Sequence, residues 1–229
     1  PAIGCKLPPK KGREMQVLTK EEMQRFLIQA KFDGYFEILL IALTTGMRRG
    51  EVMALQWDDL NFTTGELDIK RQVYYAQGKL VVSEPKTQGS VRSIIIPKTV
   101  LNVLAELKKG AAEKWIFPSP VKPGMPRNPH TVYKKMQLIL ERSGCKRIRF
   151  HDLRHTFATT ALANGMDVKT LSAIIGHVSA KTTLDIYLHS TDTMQRQAAN
   201  KIDRGICKSK GISDNTESVP EESRKEPPR

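Results

Sequence analysis

FHDLRHTFAT, residues 150–159, reads as the entry to a helix that runs over about 152–164. His151 and Arg154 are three residues apart, so they project together from the beginning of that helix and bring an imidazole and a guanidinium to one point. His155 stands four residues after His151, which offers a competing reading as a zinc helix of the HExxH kind. Arg154 between the two histidines, and the lack of the glutamate and of a nearby Cys or acidic third ligand, argue against a bound cation. His155 is therefore expected to be a core histidine or a support for its neighbours, and no metal ligand is assigned.

Working outward, the N-terminal side of this helix is mixed. Residues 1–18, PAIGCKLPPKKGREMQVL, are rich in Pro, Gly and Lys without periodicity and read as an interdomain linker, with something expected upstream of it. Thr19 and Glu22 form a capping box, after which Met23, Phe26, Leu27 and Ala30 recur at helical spacing. A second helix runs through Phe36, Leu39, Leu40 and Leu43 and ends near Gly46, and a third is expected from Arg48 to about Gln56. From Asp59 the period changes. Leu60, Phe62, the TTGE turn, Leu67, Ile69, Val73 and Tyr75 read as strands, and LVVSEPKTQGSVRSIIIP, residues 80–97, reads as a hairpin with Lys86 to Ser90 at its tip.

Helical patterns resume at 98–109 and 128–143, the latter opened by Asn128 and Pro129 and closed by Gly144. After 152–164 they continue at 167–175, 180–189 and 193–206. The expectation is a mainly α domain with one small antiparallel β-sheet (α+β) over residues 19–207. A tail at 208–229 has almost no large apolar residue with which to offset its ordering entropy, so it is expected to be disordered.

The formal charge is +13. The tail holds five Lys or Arg (208, 210, 224, 225, 229) against five acids (214, 217, 221, 222, 226), so residues before it carry the whole excess. Such a surplus fits a polyanionic partner, nucleic acid first and anionic membrane second. No apolar run reaches the roughly 18 residues of a membrane span and no signal peptide opens the chain, which points to a soluble cytosolic protein. No helix pairs a basic face with a broad apolar one, so membrane binding is the weakest option. Cys5, Cys145 and Cys207 are odd in number and outside any CxxC pattern, which favours neither a disulfide framework nor a zinc ribbon.

The other candidate site residues are spread along the chain. Arg48, in TGMRRGE, sits at the expected start of a helix, where a guanidinium can fork onto two phosphate oxygens. Glu51 lies on the same face and would hold it, the alternative being an ordinary surface pair. His177 follows Gly176 at the end of an apolar helix, and Tyr187 lies in SAKTTLDIYLH, where Leu184, Ile186 and Leu188 supply core contacts and leave the phenol for the site. Lys86 in EPKTQG, at the expected hairpin tip, reads by itself as a solvated turn residue; as a site candidate it could follow a leaving oxygen of the DNA backbone, with Lys79 as the alternative candidate. Two guanidiniums, a lysine, two imidazoles and a phenol suit a phosphodiester attacked by tyrosine.

In this order, Arg48, Lys86, His151, Arg154, His177 and Tyr187 resemble the signature of the tyrosine recombinases, the phage-integrase family of DNA strand-exchange enzymes. The likeness spans about residues 19–190. EPKTQGSVRSIIIP resembles the family's catalytic-lysine hairpin, and IIGHVSAKTTLDIYLH its nucleophile region, which favours Tyr187 over Tyr74, Tyr75 and Tyr133. The resemblance implies the recombinase catalytic-domain fold and a 3′-phosphotyrosyl link with a free 5′ hydroxyl. In that scheme Arg48 and Arg154 clamp the phosphoryl oxygens, His151 takes the tyrosine proton, Lys86 protonates the leaving oxygen and His177 donates a further hydrogen bond.

One ester replaces another in this chemistry, so no cofactor is expected: neither ATP nor a metal is required. The sequence has no GxxxxGK[ST] loop and no clustered acidic pair for two magnesium ions. The implied partners are double-stranded DNA at element ends and target site, further copies of the chain (a dimer on one site, a tetramer in the synaptic complex) and an accessory DNA-bending protein. Residues 193–207 are the candidate for an element packed in trans, with a terminal helix folded in cis as the alternative. A separate N-terminal core-binding domain is the part of the family pattern missing here. Lys70, Arg71, Arg92, Arg127, Lys146, Arg147 and Arg149 are expected to touch phosphates, with a solvated surface the alternative for each. An integrase of a conjugative transposon or temperate phage is the leading reading. A chromosome-dimer resolvase, a type IB topoisomerase and a catalytically silent DNA-binding regulator are the alternatives.

Overall fold

The Thr19 hydroxyl accepts from the Glu22 amide at 3.2 Å, and the Glu22 carboxylate accepts from the Thr19 amide at 2.8 Å. Helix α1 (Lys20–Phe32) thus starts with two otherwise orphan donors satisfied. This is the first element of a computed structural model that describes residues 16–85 and 91–176. Leu18, the last residue of the expected linker, is only 3% exposed and belongs to the core; its amide donates to the Thr156 hydroxyl at 3.2 Å.

Helix α2 (Phe36–Thr45) is the centre of the packing. Ile38 to Leu43 are all buried, so this helix is apolar on every side, and it packs against α1, the short α3 (Arg49–Met53), α4 (Lys98–Lys109) and α6 (Phe150–Ala163). Burying each such aliphatic side chain contributes about 1.5–3 kcal/mol, and truncating fully buried Leu39 to Ala would cost about 2–5 kcal/mol. α2 stops at Gly46, whose φ of 62° is the left-handed conformation that releases the chain from the helix.

α3 is shorter than the reading of a helix from Arg48 to Gln56. Gln56 leaves the helix to bridge Trp115, and a 3₁₀ turn over Trp57–Asp59 follows, capped by the Asp59 carboxylate on the Gln56 amide at 2.8 Å. Burial of Trp57 and Leu60 in the core redirects the chain where helical periodicity alone would have continued it.

The β region also differs from its local reading. β2 (Gln72–Ala76) and β3 (Lys79–Ser83) form a hairpin, turning at Gln77 and Gly78, whereas β4 (Arg92–Ile95) pairs antiparallel with β1 (Glu66–Ile69), further back in the chain. The expected hairpin over residues 80–97 is therefore corrected: its arms β3 and β4 pair with different partners, giving two two-stranded ribbons rather than one sheet. Only Lys70 and Arg71 separate β1 from β2, while residues 84–91 separate β3 from β4. Lys86 lies in that stretch, outside the described residues.

α5 (Pro129–Arg142) begins on the Asn128 cap with proline in its first turn, and α7 (Val168–Ile175) begins on the Asp167 carboxylate and ends at left-handed Gly176. The expected helices at 180–189 and 193–206, and the tail, lie outside the described residues. No helix among the described residues is long and apolar enough to cross a membrane.

Candidate active site

Glu51 lies on α3 at 2% exposure, and two arginines, one three residues upstream and one 41 residues downstream, converge on it. Arg48 donates from Nη1 to Glu51 Oε1 at 2.7 Å. Arg92, at the start of β4, donates from Nη2 to Oε2 at 3.0 Å and from Nη1 to Oε1 at 3.3 Å. Burial by itself would raise the Glu51 pKa, but its bonds to Arg92 and Arg48 outweigh that and hold it below the usual carboxylate range. The alternative of an ordinary surface pair for Arg48 and Glu51 does not describe a carboxylate this deeply buried.

The two guanidiniums also anchor the end of α7. Arg92 donates from Nε to the Ile174 carbonyl at 2.6 Å, and Arg48 from Nη2 to the Gly176 carbonyl at 3.2 Å. A Cβ on Gly176 would come 3.0 Å from Arg92 Nη1, and φ is +65°, so glycine suits this point doubly. His177, the next residue in sequence, lies outside the described residues.

Arg154 reaches the same place from the first turns of α6. It is 2% exposed, and its Nη1 donates to the carbonyl of Gly46 at 2.9 Å. Its Nε and Nη2 are buried with no hydrogen-bond partner. Desolvation foremost, and then the Arg48 charge, push its pKa down to about 9, so it stays protonated at neutral pH. Buried donors without partners are uncommon and each costs about 1–3 kcal/mol. Arg48 and Arg92 thus share one carboxylate while Arg154 beside them has no carboxylate partner among the described residues, so the cluster is electrostatically prepared for an anion.

His151 stands on the open side of this cluster. It lines a cavity of about 350 Å³ with Arg48, Arg49, Tyr133 and Arg149. Its ring meets His155 edge to face, with centroids 4.8 Å apart at 89°. The residue keeps an exposed edge, yet desolvation first, then His155 and Arg154, push its pKa down to about 4. It is therefore a neutral imidazole at pH 7, with its basicity lowered while no anion stands beside it. His155 is buried behind it, as expected, and among the described residues no third His, Cys, Asp or Glu joins the pair as a metal-holding group.

The remaining expected residues divide. Arg92, expected among the phosphate contacts, has a side chain only 7% exposed and is built into the site through Glu51. Arg71 pairs with buried Asp59, Lys70 with Asp68, and Arg149 grips Asp152 through Nε and Nη2. Lys146 pairs with Glu22 and Arg147 donates to Gln137, both beyond the end of α5. Arg127 lies over the Tyr35 ring and lines a separate cavity of about 550 Å³ with Tyr75 and Lys79. Lys86 and Tyr187 lie outside the described residues. Of the rival tyrosines, Tyr75 donates its hydroxyl to the Gly78 carbonyl, while Tyr133 lines the His151 cavity. Arg49, which drew no attention in the sequence, enters that cavity with its guanidinium 5.6 Å above the Tyr133 ring; its doubled position beside Arg48 was the only signal.

The model of the "Phage integrase family" matches residues 16–194. The ICEBs1 integrase of Bacillus subtilis (strain 168) is 29% identical over 217 residues, covering 89% of this chain and 58% of that protein. The integrase of Staphylococcus phage L54a is 26% identical, over 86% of this chain and 65% of its own length. The chain thus spans less than two thirds of these curated relatives. Among solved structures, the Tn1549 transposon integrase in complex with transposon right end DNA superposes with a TM-score of 0.71 at 23% identity, over 86% of this chain and 69% of that one. XerA recombinase does so with a TM-score of 0.64 at 25% identity, over 85% and 66%.

Proposed function

Because this chain belongs to the phage integrase family, the tyrosine recombinases, we propose that it is the catalytic part of a site-specific DNA recombinase of a mobile element. The observation that carries the reading is Arg154: a guanidinium 2% exposed, with two donors unpartnered, whose charge acts on both Arg48 and a neutral His151. A phosphodiester supplies the missing acceptors and the missing negative charge together.

In the proposed reaction the Tyr187 oxygen attacks the scissile phosphorus while His151 takes the phenol proton, from a group of pKa about 10. Arg154 and Arg48 hold the non-bridging oxygens as charge builds on them, and His177 adds a hydrogen bond. The bond to the 5′ oxygen breaks, Lys86 protonates that oxygen, and the strand is left as a 3′-phosphotyrosine. Attack by the 5′ hydroxyl of a partner strand reverses these steps, so the number of phosphodiester bonds is conserved and no energy source is consumed. Glu51 and Arg92 act through Arg48, as positioning residues.

The partner is double-stranded DNA at the element's ends and its target, bound by a dimer on one site and exchanged within a tetramer, with residues 193–207 as the element packed in trans and a DNA-bending protein as helper. The transposon DNA in the Tn1549 integrase complex, and the element and phage integrases among the relatives, support this choice of substrate. The test is incubation with a cognate end nicked just downstream of the scissile phosphate, followed by denaturation. A DNA-linked protein band from wild type and from Tyr133→Phe, lost in Tyr187→Phe, is expected; no band despite salt-sensitive binding to the verified site would instead favour a silent regulator.

A further inference from the structure

Around the cavity beside His151, the arginines differ in how their charge is met. Arg48 and Arg92 share Glu51, and Arg149 holds both oxygens of Asp152. Arg154 has no carboxylate partner, and the reacting phosphate accounts for it. Arg49 is the other: it forms no ion pair among the described residues, and it is half-buried over the face of Tyr133. A half-buried cation that faces a ring and an open cavity, rather than an acid, is arranged for an anion that arrives from outside.

We infer that Arg49, laid on Tyr133, forms a second phosphate subsite that takes a neighbouring phosphate of the cleaved strand while Arg48 and Arg154 hold the reactive one. This rests on the recombinase reading of the same site. Arg48 and Arg49 are consecutive, with Cα atoms about 3.8 Å apart, yet their side chains diverge, one to Glu51 and Gly176 and the other to Tyr133. Successive phosphates of one strand lie farther apart than the about 3.4 Å of axial rise between them, because the backbone also winds around the axis, so it is the divergence of the two side chains, not their Cα spacing, that suits two neighbouring phosphates. Both line the same cavity of about 350 Å³ with His151, so one opening serves the two guanidiniums. Burial also lowers the Arg49 pKa from its ordinary value, a cost that a bound phosphate relieves. The subsite fixes the register of the strand, so that the correct phosphorus meets the nucleophile.

The experiment replaces each phosphate flanking the cleavage point, one at a time, by a neutral methylphosphonate, and measures DNA affinity and the rate of covalent complex formation. Wild type, Arg49→Gln, Arg49→Lys and Tyr133→Leu are compared, with thermal unfolding as a check on folding. Arg49→Gln is expected to lose about tenfold in affinity and to flatten the salt dependence by about 0.9 in slope, while Arg49→Lys keeps the slope. At one flanking phosphate the neutral linkage should cost wild type about tenfold and Arg49→Gln nothing further. Tyr133→Leu should weaken binding a few-fold without changing the slope. Equal sensitivity of wild type and Arg49→Gln at every flanking position, or coupling only at the reactive phosphate, would overturn the subsite. Failure of wild type to form any covalent complex on unmodified DNA would overturn the recombinase reading itself, and this subsite with it.

Discussion

Arg92 donates to both oxygens of Glu51, at 3.0 and 3.3 Å, across 41 residues of sequence, and the two side chains are 7% and 2% exposed. The pair ties β4 to α3, and Arg48 is held by the same carboxylate. Removing one member strands a buried charge, whereas removing both does not. Glu51→Leu should therefore cost about 3–5 kcal/mol in urea unfolding, and adding Arg92→Met should recover much of that loss. The double variant should remain slow in DNA cleavage, because Arg48 has still lost its holder.

Acid should act on stability in two windows. The His151 pKa is depressed in the folded protein, to about 4, from an unfolded value near 6.5. As pH falls between these values the unfolded chain binds a proton that the folded chain refuses, so stability declines. Glu51 behaves as a lowered carboxylate: its contribution is complete above an unfolded value of about 4.3 and is lost as pH falls through its folded pKa. Urea midpoints from pH 8 down to 3 should thus fall in two stages for wild type, and His151→Gln should shallow the upper stage alone.

Arg154 illustrates a site held against stability. Its charge is buried without a carboxylate, and two of its donors lack partners. Arg154→Met should be as stable as wild type or more so, by the melting temperature, while losing about 10²–10³ in the rate of covalent complex formation. A large drop in melting temperature would mean that the guanidinium is structural.

Gly46 connects α2 to Arg154. Its φ is +62°, and a Cβ there would lie 2.5 Å from Phe157 Cδ1. Gly46→Ala should destabilise by about 1–3 kcal/mol and, by shifting the carbonyl that receives Arg154 Nη1, slow cleavage beyond what the stability loss explains. Single-turnover rates under conditions where the variant is fully folded separate the two effects.

Features written in neighbouring residues were legible without a structure. The Thr19 and Glu22 box, the Asn128 cap and the left-handed stop at Gly46 each depend on residues within one helical turn, and all are found as read. Strand partners are different: β4 follows β3 in the chain but pairs with β1, a choice made by burial of Leu67, Ile69 and Ile94 rather than by local alternation. The same holds within the site. His151 and Arg154 declare themselves by spacing, but nothing near Arg92 reveals Glu51 far upstream, so a buried organiser reads as one more surface cation. Arg49 was hidden by its neighbour, since the doubled arginine says nothing of which side chain turns inward.

The central claim is that a phosphate held by Arg48 and Arg154 becomes bonded to Tyr187. The measurement that meets it directly is mass spectrometry of the peptide left attached to DNA after trapping on a nicked cognate site and proteolysis. The account predicts a single adduct, a 3′-phosphate on the oxygen of Tyr187, formed about 10²–10³-fold more slowly by Arg154→Met. An adduct on Tyr133 or another residue, or a link to a 5′ phosphate, would contradict it.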